Sequence, residues 1–162
     1  MRSAPIVLIE RLPAGFNRWE EVLSLIRRPF AYMDGVIDPP SSAHRLTAEG
    51  LRRKAEDETG FLAVCEGRIV GCVFVVEREH DCYFSKLAVE PELQRQGMGK
   101  NLVEAVEEFA MTRGKVALEL QTRIELAANH AAFTRLGFRE TARTAHEGYD
   151  RATSITMRKV LR

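Results

Sequence analysis

Residues 89–110 read VEPELQRQGMGKNLVEAVEEFA. Leu102, Val103, Val106, Phe109 and Ala110 recur at helical spacing, and the stretch ending at Val89 reads as a strand. Gly97 and Gly99 stand where that helix begins. Glycine there weakens a helix by up to ~1 kcal/mol relative to alanine. What it returns is access, because the first amides of a helix have no intrahelical partner and carry the positive end of the helix dipole. An anion such as a phosphate suits that place, and a Cβ at Gly97 or Gly99 would hold it away. Arg95 and Lys100 add formal charge, and a guanidinium makes forked contacts to phosphate oxygens.

Three phosphate-binding patterns compete for this stretch. A Walker loop needs G-x-x-x-x-G-K-[ST], but Gln94 replaces its first glycine and Asn101 follows Lys100. A dinucleotide fingerprint needs G-x-G-x-x-G, and Leu102 stands where the third glycine belongs. The third pattern, Q/R-x-x-G-x-G/A, is met by Gln94, Gly97 and Gly99.

The surrounding chain sets the frame. Its 162 residues, 45% hydrophobic and 29% charged, suit one domain over 1–162 with a sizeable core. Lys and Arg number 24 against 23 Asp and Glu, a net charge of +1 that gives no footprint for nucleic acid. The opening MRSAPIVLIERLP is too short and too charged for a signal peptide or a membrane span, so no membrane partner is expected. Cys65, Cys72 and Cys82 form no C-x-x-C pair and lie in apolar runs. They read as reduced buried thiols in a cytoplasmic protein, with no metal site.

Along the chain, PIVLIERL reads as a strand and NRWEEVLSLIRR as a helix with Trp19, Val22, Leu23 and Ile26 on one face and Asn17 as its cap. A turn-rich loop, PFAYMDGVIDPPSSAHR, leads to a charged helix that Thr47 would cap. Two apolar runs joined by Glu66-Gly67-Arg68 make a hairpin, and DCYFSKLAVE adds a strand after a turn near His80-Asp81. After the glycine-led helix, which Gly114 closes, come the strand KVALELQTR, a helix ending at Gly137, and two closing strands. The order β-α-α-β-β-β-α-β-α-β-β mixes hairpins with crossovers. It predicts an α/β (α+β) fold with a mixed, mostly antiparallel central sheet and helices on both faces.

KLAVEPELQRQGMGKNLVEAVEEFA resembles the pyrophosphate-binding motif of the GNAT superfamily of acyl-CoA N-acyltransferases, and LELQTRIELAANHAAFTRLGF resembles the motif that follows it. The element order is also that of the superfamily. The resemblance implies acetyl-CoA as co-substrate and transfer of an acetyl group to a primary amine by direct attack on the thioester. The acceptor would be a small-molecule amine or a protein amino group. It also implies that Leu87, Ala88 and Val89 offer backbone to the pantetheine arm, in the manner of an added strand. Gln94, Arg95, Gln96, Gly97, Met98, Gly99 and Lys100 would hold the pyrophosphate, and Asn129 and Phe133 would touch the cofactor. Asn129 reads equally well as a helix N-cap.

Direct transfer poses two proton problems, one at the amine and one at the departing thiolate. Glu119, which alternation places on one strand face with Ala117 and Gln121, is the candidate base. The competing reading is a strand glutamate paired to Arg123. Phe133 stands where the superfamily often has a tyrosine acid, and phenylalanine has no proton to give. Tyr149 and His146 are the candidates to replace it, ahead of Tyr83 and Ser85, unless the proton comes from solvent or the amine. Without useful turnover the domain would be an acyl-CoA sensor. Tyr32, Met33 and Asp34, with Asp38, are candidates to receive the amine, and an exposed strand edge would permit a homodimer.

Overall fold

Seven consecutive residues, Ile69 to Val75, are buried, a pattern that requires cover on both faces of their strand. The computed structural model, which describes residues 6–31, 35–94 and 96–161, supplies that cover. Ile69, Cys72 and Phe74 face one helical layer, and Val70, Val73 and Val75 face the other. The strands are β1 (Val7–Arg11), β2 (Thr59–Cys65), β3 (Arg68–Glu77), β4 (Asp81–Val89), β5 (Ala117–Arg123), β6 (Arg139–Thr144) and β7 (Ser154–Val160). The helices are α1 (Trp19–Ala31), α2 (Ala48–Asp57), α3 (Met98–Thr112) and α4 (Ala127–Arg135). The sheet runs β1-β2-β3-β4-β5-β7-β6. Every neighbouring pair is antiparallel except β4 and β5, so the expected mixed, mostly antiparallel sheet is present.

Residues of α1 and α2 pack on one face, around Trp19, Val22, Leu25, Ile26 and Leu51. Met98, Leu102, Val103, Val106, Phe109 and Ala110 of α3 pack on the other, joined by Phe133 and Leu136. Local signals fix most ends. Thr47 caps α2 by accepting the Gly50 N–H at 2.9 Å. The β2–β3 hairpin turns at Glu66 and Gly67, both with positive φ (51° and 78°), the geometry of a two-residue type I′ turn. At the end of α3, Lys115 N–H reaches back to Ala110 O at 2.9 Å and Gly114 N–H to Met111 O at 3.0 Å, a Schellman ending. Asn17 does not cap α1: the helix starts at Trp19, and the carbonyl of Arg18 takes the first helical bond, from Val22 at 3.2 Å.

One discontinuity crosses the sheet. Parallel pairing of β4 with β5 covers only Asp81↔Ala117, Cys82↔Leu118 and Tyr83↔Glu119. Beyond it β4 stays paired to β3 as far as Val89, and β5 to β7 as far as Arg123. A bulge in β4 follows the last shared pair: Phe74 faces Ser85 while Cys72 faces Ala88, and Lys86 takes φ +57°. Bulges bend the strand that carries them, and this one lies where β4 leaves β5. The two strands therefore form a V, closed at Tyr83 and Glu119 and open toward Val89 and Arg123.

Candidate active site

The open end of the V is where β4 hands over to the segment leading into α3. Gly97 occupies the N-cap of α3 at φ +80°, a left-handed conformation that side chains tolerate poorly. Asn101 N–H makes the first helical bond, to Gly97 O at 3.0 Å, so the amides of Met98, Gly99 and Lys100 precede the helical ladder. A Cβ at Gly97 or Gly99 would meet nothing within 4 Å, so the approach to those amides is open. Met98 itself is buried in the core and anchors the turn, leaving Gln96 and Lys100 exposed beside it. Gln94 points back and donates to the Val89 carbonyl at 3.2 Å, so its side chain braces the loop. Arg95 lies outside the described residues, as do Tyr32, Met33 and Asp34.

Inside the V is a cleft of about 280 Å³. Its walls come from Tyr83, Phe84, Ser85, Lys86 and Leu87 of β4 and from Leu120, Gln121, Thr122 and Arg123 of β5. Asn129 and Phe133 of α4 close one side and His146 another. Phe133 packs against Phe84 and Phe138, with ring centroids 6.3 and 5.8 Å away, so it is fixed as an apolar wall. Asn129 lines the cleft but caps nothing: Leu126 holds the N-cap of α4, and Asn129 lies in the first turn. Ala88 and Val89 are buried and Leu87 is half-buried, leaving their backbone as what this strand edge can offer.

Of the proton-handling candidates, Tyr83 and Ser85 line the cleft, and the three leading ones separate. Glu119 sits at the closed end of the V and is not a lining residue. Its carboxylate pairs with Arg158 at 3.0 Å and Arg78 at 3.1 Å, not with Arg123. Those two guanidiniums also hold Asp81, Arg78 in a bidentate pair at 2.7 and 2.8 Å. The pair pulls the Asp81 carboxyl down to about 2. Tyr149 is also outside the lining and donates its hydroxyl to Asp38 at 2.7 Å, which raises its pKa. Asp38 also takes Arg151 at 3.2 Å, so it is not free to receive a cationic amine.

His146 does reach the cleft. Its ring Nδ1 meets Thr153 Oγ1, and Nε2 lies 3.3 Å from Arg123 Nη1. Burial, and then the nearby Arg123 charge, lower its pKa and favour the neutral imidazole. Sequence reasoning passed over Lys86, Gln121 and Arg123 as lining groups. Alternation along LELQTR places Gln121 and Arg123 on one face and could have found them, whereas the bulge that presents Lys86 has no sequence signature.

A sheet that parts between two parallel strands, with a glycine-led helix start at its mouth, is the defining feature of this fold. Residues 19–138 match the model of the acetyltransferase (GNAT) family, and the chain belongs to that family. It is 43% identical over 54 residues to the [ribosomal protein bS18]-alanine N-acetyltransferase of Salmonella typhimurium, covering 33% of this chain and 36% of that one. It is 33% identical over 86 residues to the N-acetylaspartate synthetase of Danio rerio, covering 52% and 30%. The chain thus spans about a third of the length of these curated relatives. A GNAT family acetyltransferase from Elizabethkingia anophelis, solved with acetyl-CoA bound, has the same fold: TM-score 0.68 at 18% identity over 96% of this chain and 98% of that one. Among the described residues no helix is long and apolar enough to cross a membrane, and no cluster of three or more His, Cys, Asp or Glu could hold a metal ion.

Proposed function

We propose that this protein is an acetyl-CoA-dependent N-acetyltransferase that moves an acetyl group onto a primary amine by direct attack on the thioester. The observation that carries this reading is the V between β4 and β5, open toward the exposed amides that start α3. The unpaired edge of β4 suits the two amides of a pantetheine arm, which would run along 84–89 as a missing strand. The amides of Met98, Gly99 and Lys100, with exposed Gln96 and Lys100 beside them, suit the pyrophosphate, and Arg95, two residues before Gly97 in the sequence, is assigned to it by its charge. Phe133 and Asn129 would flank the arm where it enters the cleft.

The neutral amine adds to the thioester carbonyl carbon, the C–N bond forms, and the C–S bond breaks. The proton lost by nitrogen ends on the departing sulfur, so the products are an amide and a thiol. The cleft holds both reactants at one place, and that positioning is a large part of the rate. Of the candidates for proton transfer, we assign the passage of this proton to His146 or to solvent. Tyr83 and Ser85 line the cleft as well, but His146 is the lining candidate in a neutral form that can accept a proton, whereas burial raises the Tyr83 pKa. Glu119 and Tyr149 we assign to the frame. Three free cysteines, two of them buried, fit a reducing compartment, and we place the protein in the cytoplasm.

The test is release of CoA thiol from acetyl-CoA across a panel of amines, with CoA affinity measured in parallel by calorimetry. Acceptor-dependent thiol release is the expected result. Micromolar CoA binding with no acceptor response would make the domain an acyl-CoA sensor, the reading that Phe133 favours.

A further inference from the structure

The cleft is lined by two cations that have no acidic partner among the described residues. Most described arginines are paired, as in Arg28–Glu90, Arg52–Glu49, Arg78–Asp81, Arg143–Glu140 and Arg158–Asp81. Arg123 forms no ion pair among the described residues. Its Nη1 is turned to His146 at 3.3 Å, while Nε and Nη2 are buried without a hydrogen-bond partner. Lys86, a lining residue with left-handed backbone, reaches Ser42 Oγ at 3.2 Å and forms no ion pair among the described residues. Among the described residues the lining includes no aspartate or glutamate. Among nearby carboxylates, Asp38 bonds Tyr149 and Arg151 and Glu119 bonds Arg78 and Arg158, while Glu125, two residues from Arg123, accepts the Asp38 N–H at 2.9 Å on Oε2 and keeps Oε1 buried without a partner among the described residues.

Nε and Nη2 share one side of a guanidinium and point their N–H groups the same way. That edge matches the two oxygens of a carboxylate. A charged donor shut away from both water and partner is costly, and a bidentate carboxylate removes the cost in one contact. We propose that the acceptor is an amine that also carries a carboxylate, a small amino-acid-type substrate. Arg123 takes the carboxylate on its Nε–Nη2 edge after a turn of the side chain toward the cleft, and Lys86 adds to the positive field. The inference rests on the acetyltransferase reading and names the substrate class for it. The same cations repel polyamines and lysine-rich peptides, which would bring a second positive charge into a cleft whose described lining offers no counter-ion.

Matched acceptors test this: glycine, aspartate, glutamate and phenylalanine, each against its α-carboxamide, with spermidine as a polycation, scored by thiol release. The free acids are expected to exceed the amides by about tenfold or more in kcat/KM, because a site built for a polar group rejects the analogue lacking it. Arg123→Met should reduce that ratio to near one and leave CoA affinity unchanged, and Arg123→Lys should restore part of it. Thermal melts of both variants establish that they fold. Binding of N-acetyl amino acids and of their amides to the CoA-loaded protein, by calorimetry, reads the carboxylate preference without turnover. If no amine is acetylated yet the acids still bind through Arg123, the acetyltransferase reading fails and the carboxylate site stands. Equal use or equal binding of acids and amides overturns the proposal, as does spermidine as the best acceptor. So does a loss of CoA affinity in Arg123→Met as large as the loss of acceptor, which would assign the cation to the cofactor.

Discussion

Gly97 and Gly99 lie two residues apart and answer to different constraints. At φ +80° Gly97 sits where an L-residue is strained, so Gly97→Ala should lower stability by about 1 kcal/mol. Gly97→Glu should also abolish CoA binding by adding bulk and negative charge at the phosphate. Gly99 is inside the first turn of α3 with ordinary φ and open space where a Cβ would go. Gly99→Ala should therefore stabilise the fold by about 0.5 kcal/mol while weakening CoA binding by about tenfold. Calorimetric melts and CoA titrations give the two signs, and a variant that is both more stable and unimpaired in binding would mean the backbone of Gly99 is not approached by phosphate. Asp81 shows how a charge at the closed end of the V acts on the frame. Arg78, opposed by burial and aided by Arg158, lowers its pKa from 3.8 to about 2. A carboxyl depressed in the folded state gives stability that is present above its unfolded pKa and is lost as pH falls through the folded value. The contribution, on the order of 1 kcal/mol, should disappear between about pH 4 and pH 2, and Asp81→Asn should flatten the melting temperature over that window. An unchanged pH profile in the variant would remove Asp81 from acid stability.

At the scale of elements, what the sequence could say depended on how local the cause was. The periodicity of α3 and the caps Thr47 and Gly114 are set by neighbours within a turn, and all three were legible. The cap of α4 was not. Asn129 is the residue type that caps helices, but Leu126 takes that place, and its carbonyl is bonded by Asn129 N–H at 3.0 Å and His130 N–H at 3.3 Å. The pairing of Glu119 was misread for a related reason. Arg123 is four residues on along the same strand, whereas Arg158 lies directly across the β5–β7 pair. Glu90 had no signal at all: it reads as an ordinary charged residue before a proline, yet it is only 1% exposed. Its carboxylate bonds Arg28 of α1, its N–H donates to Val70 O at 2.9 Å, and Arg68 stands 3.6 Å away. Glu90 thus ties α1 and β3 to the segment that carries the glycines. Glu90→Ala should cost about 2 kcal/mol, less than a fully buried pair because Arg28 can rehydrate. Urea unfolding measures it, and a loss under ~0.5 kcal/mol would show the tie to be incidental.

At the scale of the whole molecule, the sheet behaves as two half-sheets, β1-β2-β3-β4 and β5-β7-β6, joined by three residue pairs. Each half satisfies its own backbone: β4 against β3, and β5 against β7 along all seven of its residues. Opening the V therefore leaves unpaired only the two strand edges that face each other inside it. A parallel β4–β5 pair also demands a crossover, and that crossover is α3, whose start falls at the mouth of the opening for topological reasons. One connection thus supplies both the gap and the anion site beside it. The consequence can be read by hydrogen exchange. In the free protein the β4 amides that face β3 should already be protected, and those that face β5 beyond Tyr83 should not. Saturating CoA should slow exchange on the order of tenfold in 84–89 and in 97–100, and leave the exposed outer strand β6 unchanged. Protection that appeared along β1 or β6 while 84–89 stayed fast would place the ligand on an outer edge, and the V would then be only a flaw in the sheet.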